Sequence, residues 1–189
     1  MNIRLVATRL VVTDCDGVLT DNTFVYGPDG EKYRRWNMAD GIAVQKLRAA
    51  GIQVVFLTQE ESADIAQRAK ALDVPVIVGG TDKLGALERQ LELWAGISVN
   101  GRRKYPQSLS EVAYIGNEDN DVPVLLAVGR AFRPYDAWIP YGERLMSNGG
   151  EGCLREVAEE ILRPVVYKTD HRLTDEELAG FTMDRTQAL

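Results

Sequence analysis

The chain has 189 residues, of which 45% are hydrophobic and 26% are charged, and its formal net charge is −6. This length supports one substantial hydrophobic core, and no apolar run is long enough to cross a membrane. The negative charge and the lack of a large Lys/Arg cluster argue against a nucleic-acid groove, and the N-terminus does not have the layout of a signal peptide. We expect the two cysteines to be reduced, which is typical of a cytoplasmic protein.

Two carboxylates follow the first predicted strand. The apolar run Leu10-Val11-Val12 leads into Thr13–Asp21 (TDCDGVLTD), in which Asp14 and Asp16 lie one residue apart. Alternate side chains of a strand point the same way, so both carboxylates start on one face, and Gly17 then allows a sharp turn. A buried carboxylate pair is costly unless a cation neutralises it, and Mg²⁺ is the usual ion. Turn formation and helix capping are the alternative role for two such aspartates.

The rest of the chain alternates helices with strands. The segment 22–37, broken by Gly27-Pro28-Asp29-Gly30, predicts a β-hairpin that we call the flap. Helices are predicted at 40–50, 61–72, 83–95, 122–128 and 154–162, strands at 52–57, 74–78, 112–115 and 131–132, and a surface loop at 100–109. This alternation predicts an α/β fold with a central parallel sheet, whose ligands gather at the carboxyl ends of the strands. We expect one domain over residues 1–164 and a polar tail over 165–189.

Further polar residues follow the other predicted strands. Thr58 ends the second strand, Lys83 lies beyond the third, and Asn117 begins the run Asn117–Asp121 after the fourth. Each has an ordinary alternative: an N-cap for Thr58, a solvent-exposed first helical turn for Lys83, and turn or cap roles for the acidic run. Together, at successive strand ends, they predict a single site.

These residues, in this order, resemble the four motifs of the haloacid dehalogenase (HAD) superfamily of phosphatases. TDCDGVLTD is similar to the first motif of the branch that hydrolyses phosphorylated keto-deoxy sugar acids, and GNEDND (116–121) is similar to the fourth. The resemblance covers roughly residues 9–163 and implies a Rossmann-like, three-layer α/β/α fold with a β-hairpin flap. The segments before and after Thr58 have no room for a cap domain, and capless relatives form homotetramers. We therefore expect flap residues at subunit interfaces: Phe24, Val25, Tyr26, Tyr33 and Trp36.

The resemblance also implies a role for each site residue. Asp14 is the nucleophile that forms an aspartyl-phosphate, Asp16 is the general acid and base, and Thr58 and Lys83 contact the phosphoryl group. Mg²⁺ is bound by Asp14, by the main-chain carbonyl of Asp16 and by Asn117. The superfamily usually has aspartate at the position of Asn117, so weaker Mg²⁺ binding is expected. Glu118 and Asp121 are alternative ligands.

Substrate specificity rests on fewer residues. The octulosonate 8-phosphate phosphatases continue with Gly-Arg after the threonine, whereas this chain has Gln59-Glu60-Glu61. Glu60 together with Arg68 is similar to the nonulosonate (acylneuraminate) 9-phosphate phosphatases, which favours that substrate. Lys32, Arg34 and Arg35 of the flap are candidates to meet the substrate carboxylate. The alternatives are a 3-deoxy-octulosonate 8-phosphate phosphatase, and a weakly active oligomerisation domain like that of some acylneuraminate cytidylyltransferases.

Overall fold

The computed structural model describes residues 7–163, so the predicted tail and the boundary before it lie outside the described residues. The strands are β1 Leu10–Thr13, β2 Val25–Tyr26, β3 Lys32–Tyr33, β4 Gln53–Thr58, β5 Val76–Val78, β6 Ser98–Val99, β7 Arg102–Arg103, β8 Val112–Ile115, β9 Arg130–Arg133 and β10 Glu143–Arg144. The helices are α1 Met38–Ala49, α2 Ala63–Leu72, α3 Lys83–Trp94, α4 Val122–Ala127 and α5 Cys153–Leu162.

A parallel sheet of six strands, in the order β10-β9-β8-β1-β4-β5, forms the centre of the fold. β1 lies between β4 and β8, and its last residue, Thr13, pairs with Phe56 and Ile115. The loop after β1 therefore leaves the middle of the sheet, with strand ends on both sides. The predicted α/β fold with a central parallel sheet is confirmed.

Helices cover both faces of the sheet because its inner strands are apolar on both sides. Val11 packs in a core cluster with α1 and α5, while Leu10 and Val12 pack in a second cluster with α3 and α4. The alternation of a strand thus divides β1 between the two cores. The resulting architecture is the expected three-layer α/β/α sandwich.

The connections that precede the site are short. Only the flap hairpin, formed by β2 and β3, and α1 lie between β1 and β4, and only α2 and β5 lie between β4 and α3. The described chain therefore has no cap domain at either place, as expected. Two features differ from the sequence prediction: the stretch predicted as a loop contains the strand β7, which pairs with β6, and β10 adds an edge strand. Over the described residues, no helix is long and apolar enough to span a bilayer.

Candidate active site

The predicted catalytic residues Asp14, Asp16, Thr58 and Lys83 come together at the carboxyl ends of the strands. They surround a cavity of about 260 Å³, and its wall is formed by the ends of β1 and β4, the start of α3 and the loop after β8. Its lining residues are Asp14, Asp16, Asn22, Thr58, Gln59, Glu60, Lys83, Glu118 and Asn120. A larger cavity of about 880 Å³ lies at the amino ends of the strands, beside Arg9 and Gln53, and contains none of the predicted residues. The predicted catalytic residues therefore line the smaller cavity, which lies at the edge of the sheet where ligands of parallel sheets bind.

The loop after β1 is shaped by close backbone approach. The amide of Asp14 donates to the carbonyl of Ile115 at 2.9 Å, which continues the β1–β8 pairing to the edge of the cavity. Gly17 has φ +79°, and a Cβ atom at this position would lie 2.1 Å from Nδ2 of Asn117. Glycine is favoured there because a side chain would strain the left-handed backbone and would displace the Asn117 amide.

Lys83 joins two carboxylates at the bottom of the cavity. Its Nζ lies 2.9 Å from Oδ1 of Asp14 and 2.7 Å from Oδ1 of Asp121, and its side chain is only 1% exposed. Asp121 also accepts hydrogen bonds from the Tyr114 hydroxyl at 2.6 Å and from the amides of Asn117 and Glu118 at 2.8 and 3.1 Å. All its acceptor sites face protein donors, so Asp121 orients Lys83 and is not available to a metal. The sequence analysis missed Tyr114, although a tyrosine in a buried strand needs a partner for its hydroxyl.

Burial dominates the electrostatics of this group. Burial raises the pKa of Asp14 to about 7, the charge of Asp121 adds to the rise, and Lys83 opposes it. Burial by itself would lower the pKa of Lys83, but Asp14 and Asp121 outweigh burial and the pKa lies above its usual value. Because a divalent cation favours the ionised form of a neighbouring carboxylate, a metal beside Asp14 would lower its pKa.

Three oxygen atoms converge beside Asp14 without a hydrogen-bond donor among them. The Asn117 side chain points one end of its amide at the main-chain oxygen of Asp16, 3.0 Å away, and at Oδ2 of Asp14, 3.2 Å away. This end carries the amide oxygen, and only a rotated amide would donate to both. In an octahedron with Mg–O bonds of 2.0–2.1 Å, neighbouring oxygens are about 2.9 Å apart. The spacing and chemistry of the donor set therefore fit Mg²⁺.

This donor set contains one carboxylate, one amide and one carbonyl. Over residues 7–163, no three His, Cys, Asp or Glu side chains are grouped to hold a metal. The groups predicted as ligands, the side chains of Asp14 and Asn117 and the main-chain oxygen of Asp16, nevertheless lie next to each other.

The side chain of Asp16 is held by the flap. Nε and Nη2 of Arg34 donate to its two carboxylate oxygens at 2.7 and 2.9 Å. Nη1 of the same guanidinium donates to Asp64 at 2.7 and 2.9 Å. These hydrogen bonds with Asp16, and next those with Asp64, raise the pKa of Arg34 against the opposing effect of burial.

The flap cations do not face the cavity as predicted. The Arg34 side chain is 2% exposed, so in this conformation it cannot meet a substrate carboxylate. Arg35 instead pairs with Asp21 at 2.8 Å, and Nζ of Lys32 lies 5.2 Å from the centre of the Phe24 ring.

The predicted substrate residues are separated from each other. Thr58 is buried at the end of β4 and its hydroxyl donates to the carbonyl of Glu60 at 3.4 Å. Glu60 lines the cavity, but Nη2 of Arg68 donates to the carbonyl of Asn37 at 3.1 Å, outside it. Glu60 and Arg68 therefore do not form one substrate-binding subsite within a single chain. The cause is that α2 begins at Ala63, so Glu60 does not share a helix with Arg68.

Known proteins resemble the chain over most of its length, although no family model matches it. The 3-deoxy-D-manno-octulosonate 8-phosphate phosphatase KdsC of Haemophilus influenzae is 30% identical over 167 residues, which cover 86% of this chain and 87% of that protein. The crystal structure of the phosphatase of that name from Yersinia pestis has a TM-score of 0.73 at 29% identity and covers 84% of this chain and 83% of its own.

A second solved structure contains ligands. It is the phosphatase of the same name from Moraxella catarrhalis in complex with a magnesium ion, a phosphate ion and a KDO molecule, with a TM-score of 0.68, 30% identity and coverage of 82% and 86%. Two-thirds or more of both chains are matched in each case. With the carboxylate, amide and lysine group in place at the strand ends, this similarity shows that the chain belongs to the KdsC family of HAD phosphatases.

Proposed function

We propose that the chain hydrolyses the phosphate monoester of a keto-deoxy sugar acid, with Mg²⁺ as cofactor and 3-deoxy-D-manno-octulosonate 8-phosphate as the favoured substrate. The observation that carries this proposal is the grouping of Asp14 with Lys83, with the side chain of Asn117 and with the Asp16 carbonyl, beside the cavity that Asp14, Asp16 and Lys83 line. Phosphate-monoester hydrolysis is very slow without a catalyst, and its catalysis depends on positioning and on charge stabilisation, which this group can provide.

Asp14 is the proposed nucleophile. Its carboxylate attacks phosphorus, the bond from phosphorus to the sugar oxygen breaks, and that oxygen takes a proton from Asp16. A water molecule then gives a proton to Asp16 and attacks the aspartyl-phosphate, which releases inorganic phosphate and restores Asp14. Two displacements at phosphorus thus replace one difficult step.

The surrounding residues stabilise charge on the phosphoryl oxygens. Lys83 carries a buried positive charge 2.9 Å from Asp14, and Thr58 lines the cavity with a hydroxyl that can donate to phosphate. Bound Mg²⁺ would be held by Asp14, Asn117 and the Asp16 carbonyl, and it would neutralise charge on phosphate and nucleophile.

Hydrolysis of p-nitrophenyl phosphate by wild type and by the Asp14→Asn variant tests the reaction. We expect Mg²⁺-dependent turnover by wild type and only the no-enzyme background for the variant, which keeps the size of the side chain. Equal rates for the two proteins would show that Asp14 is not the nucleophile, and they would refute the proposed enzyme activity. They would favour the oligomerisation domain.

The metal site is tested by Asn117→Asp. The new carboxylate adds a negative charge beside the metal, so we expect activity to saturate at lower Mg²⁺ concentration than in wild type. It also makes the site less positive towards phosphate, so inhibition by inorganic phosphate should weaken. Unchanged Mg²⁺ dependence would remove Asn117 from the metal site.

The identity of the sugar-acid substrate is a separate proposal, which rests on the similar proteins and on the positions of Glu60 and Arg68. The relatives that the chain matches are named for 3-deoxy-D-manno-octulosonate 8-phosphate, and Arg68 lies outside the cavity, which together favour the octulosonate ester. The position of Glu60 on the cavity wall is the observation that keeps a nonulosonate 9-phosphate as second candidate. Measurement of kcat/KM for both esters decides between them, and a higher value for the nonulosonate ester would reverse the proposal.

We also propose that the protein is a homotetramer in which the flap contacts neighbouring subunits. Val25, Tyr26 and Tyr33 are 68%, 64% and 53% exposed in the single chain, which is unusual for large apolar side chains on one hairpin. Light scattering at micromolar concentration should give the mass of four chains, and a monomer would contradict this assembly.

A further inference from the structure

The guanidinium of Arg34 hydrogen-bonds two carboxylates that lie on different elements, and its Nη2 also lies 3.6 Å from Oε1 of Glu60. One side of its planar fork bonds both oxygens of Asp16, and Nη1 bonds both oxygens of Asp64 and, at 3.0 Å, the hydroxyl of Ser62. The Phe24 ring lies 4.6 Å from Cζ, and the side chain is almost completely buried. A buried fork with charged partners on both sides has a single orientation.

Asp16, in contrast, has little else to fix its carboxylate. Its side chain is 29% exposed, and its other side-chain hydrogen bond is a long one, 3.3 Å, from the hydroxyl of Thr20. Without Arg34 this side chain would be free to change rotamer at the mouth of the cavity. A general acid must lie within hydrogen-bond reach of the leaving oxygen, so its orientation matters directly for the reaction.

We infer that Arg34 is a positioning residue that holds the Asp16 carboxylate in one orientation at the cavity wall, and that Asp64 is the anchor that fixes Arg34. This inference rests on the proposed function, because it assigns a role to Asp16 in that reaction. Arg34 does not line the cavity, so it acts through the cavity carboxylates and not on the substrate directly, and its hydrogen bonds there go to Asp16 rather than to Glu60. The flap thereby takes part in the active site from within the same chain.

The dependence of rate on the leaving group separates positioning from general structural support. 2,4-Dinitrophenyl phosphate has a leaving group that departs without a proton, whereas the alkoxide of 3-deoxy-D-manno-octulosonate 8-phosphate needs one. The ratio kcat/KM reports the reaction up to release of the leaving group, so it isolates the step in which Asp16 gives its proton. Arg34→Met keeps most of the apolar stem of the side chain and removes the fork.

For Arg34→Met we expect a loss of about 10- to 100-fold in kcat/KM on the sugar ester, a part of the 10²–10⁴-fold range of general acid catalysis, and little loss on the aryl ester. Arg34→Lys should recover only a small part, because an ammonium cannot form the two-pronged contact. Asp64→Asn should give a smaller loss with the same selectivity. Arg35→Met is the matched control: Arg35 is its sequence neighbour, with a side chain 77% exposed, and both esters should keep wild-type values.

The double variant Arg34→Met/Asp16→Asn completes the test. If Arg34 acts through Asp16, the double variant is no slower than Asp16→Asn alone. Equal losses on both esters, or an additive loss in the double variant, would overturn the inference. If Arg34→Met does not fold, the same two esters are measured with Arg34→Lys and Asp64→Asn. Equal losses on the sugar ester and the aryl ester in these variants would also overturn the inference. If Asp16→Asn itself hydrolyses both esters like wild type, the proposed reaction fails, and this inference fails with it.

Discussion

Replacement of Lys83 by methionine tests the balance of charge at the bottom of the cavity. Lys83→Met keeps the length of the side chain and removes its ammonium, which lies 2.9 Å from Asp14 and 2.7 Å from Asp121. The two carboxylates respond differently. The pKa of Asp14 is already raised to about 7, mainly by burial, so without Lys83 this group takes up a proton at neutral pH at little cost.

Asp121 carries most of the penalty. It is fully buried, and after the change it keeps the Tyr114 hydroxyl and two amides but no cation. Breaking a buried ion pair by removing one partner costs about 3–5 kcal/mol, and the three remaining donors place the expected loss at about 3 kcal/mol. With a urea m-value of about 2 kcal/mol/M, the unfolding midpoint falls by about 1.5 M.

The double variant Lys83→Met/Asp121→Asn separates stability from catalysis. The oxygen of the introduced side-chain amide can accept from the main-chain amides of Asn117 and Glu118, and its nitrogen can donate to the Tyr114 oxygen, so the buried charge disappears without losing these contacts. We expect urea unfolding to return most of the way to wild type, while p-nitrophenyl phosphate hydrolysis stays lost. A double variant as unstable as Lys83→Met would show that the stability loss does not come from unpaired charge.

Three further predictions concern buried positions. Burial raises the pKa of Asp40 to about 6, and over residues 7–163 its Oδ2 accepts no hydrogen bond. The folded state therefore binds a proton on the Asp40 carboxyl more tightly than the unfolded state does. The free energy of unfolding should therefore fall as pH rises from about 4 to 6. In urea titrations, Asp40→Asn should raise this free energy by up to about 3 kcal/mol at pH 7 and should weaken its pH dependence. An unchanged unfolding midpoint would contradict this prediction. Gly17→Ala should displace Asn117 and raise the Mg²⁺ concentration needed for half-maximal hydrolysis; the wild-type Mg²⁺ curve would show that the turn tolerates a side chain. Tyr114→Phe should cost about 1.5–3 kcal/mol, the value of a hydrogen bond to a charged group, and an unfolding midpoint equal to wild type would mean that Asp121 does not need this donor.

The sequence predicted those parts of the fold and site that depend on local pattern. The apolar runs of β1 and β8 and the polar residues after them placed Asp14 and Asn117 correctly, since parallel strands bring their carboxyl ends to one edge. The strands β6, β7 and β10 have only two residues each, which is too short to show a hydrophobic period. A turn joins β6 to β7, whereas β10 is not part of a hairpin. The pairing of these three strands depends on tertiary contacts that sequence patterns do not report.

Side-chain partners were harder to predict than positions. The contact of Arg34 with Asp16 depends on how the flap folds back over the loop after β1, and spacing along the chain carries no information about that path. The pairing of Glu60 with Arg68 assumed helical spacing from residue 61, but the chain between Thr58 and Ala63 is not helical. Without a common helix, the relative direction of the two side chains is set by the loop.

The distribution of cations over the carboxylates is consistent with the single metal position that we propose. Arg34 pairs with Asp16, and Lys83 pairs with Asp121 and with one oxygen of Asp14. The other oxygen of Asp14 faces Asn117 and the Asp16 carbonyl, where no donor from residues 7–163 meets it. A divalent ion at this point, with Lys83, gives the bottom of the cavity more positive than negative charge, whereas an aspartate at position 117 would bring the two into balance. The neutral amide of Asn117 therefore weakens metal binding and strengthens attraction of the phosphate dianion, so the two properties are expected to change in opposite directions whenever the charge at position 117 changes.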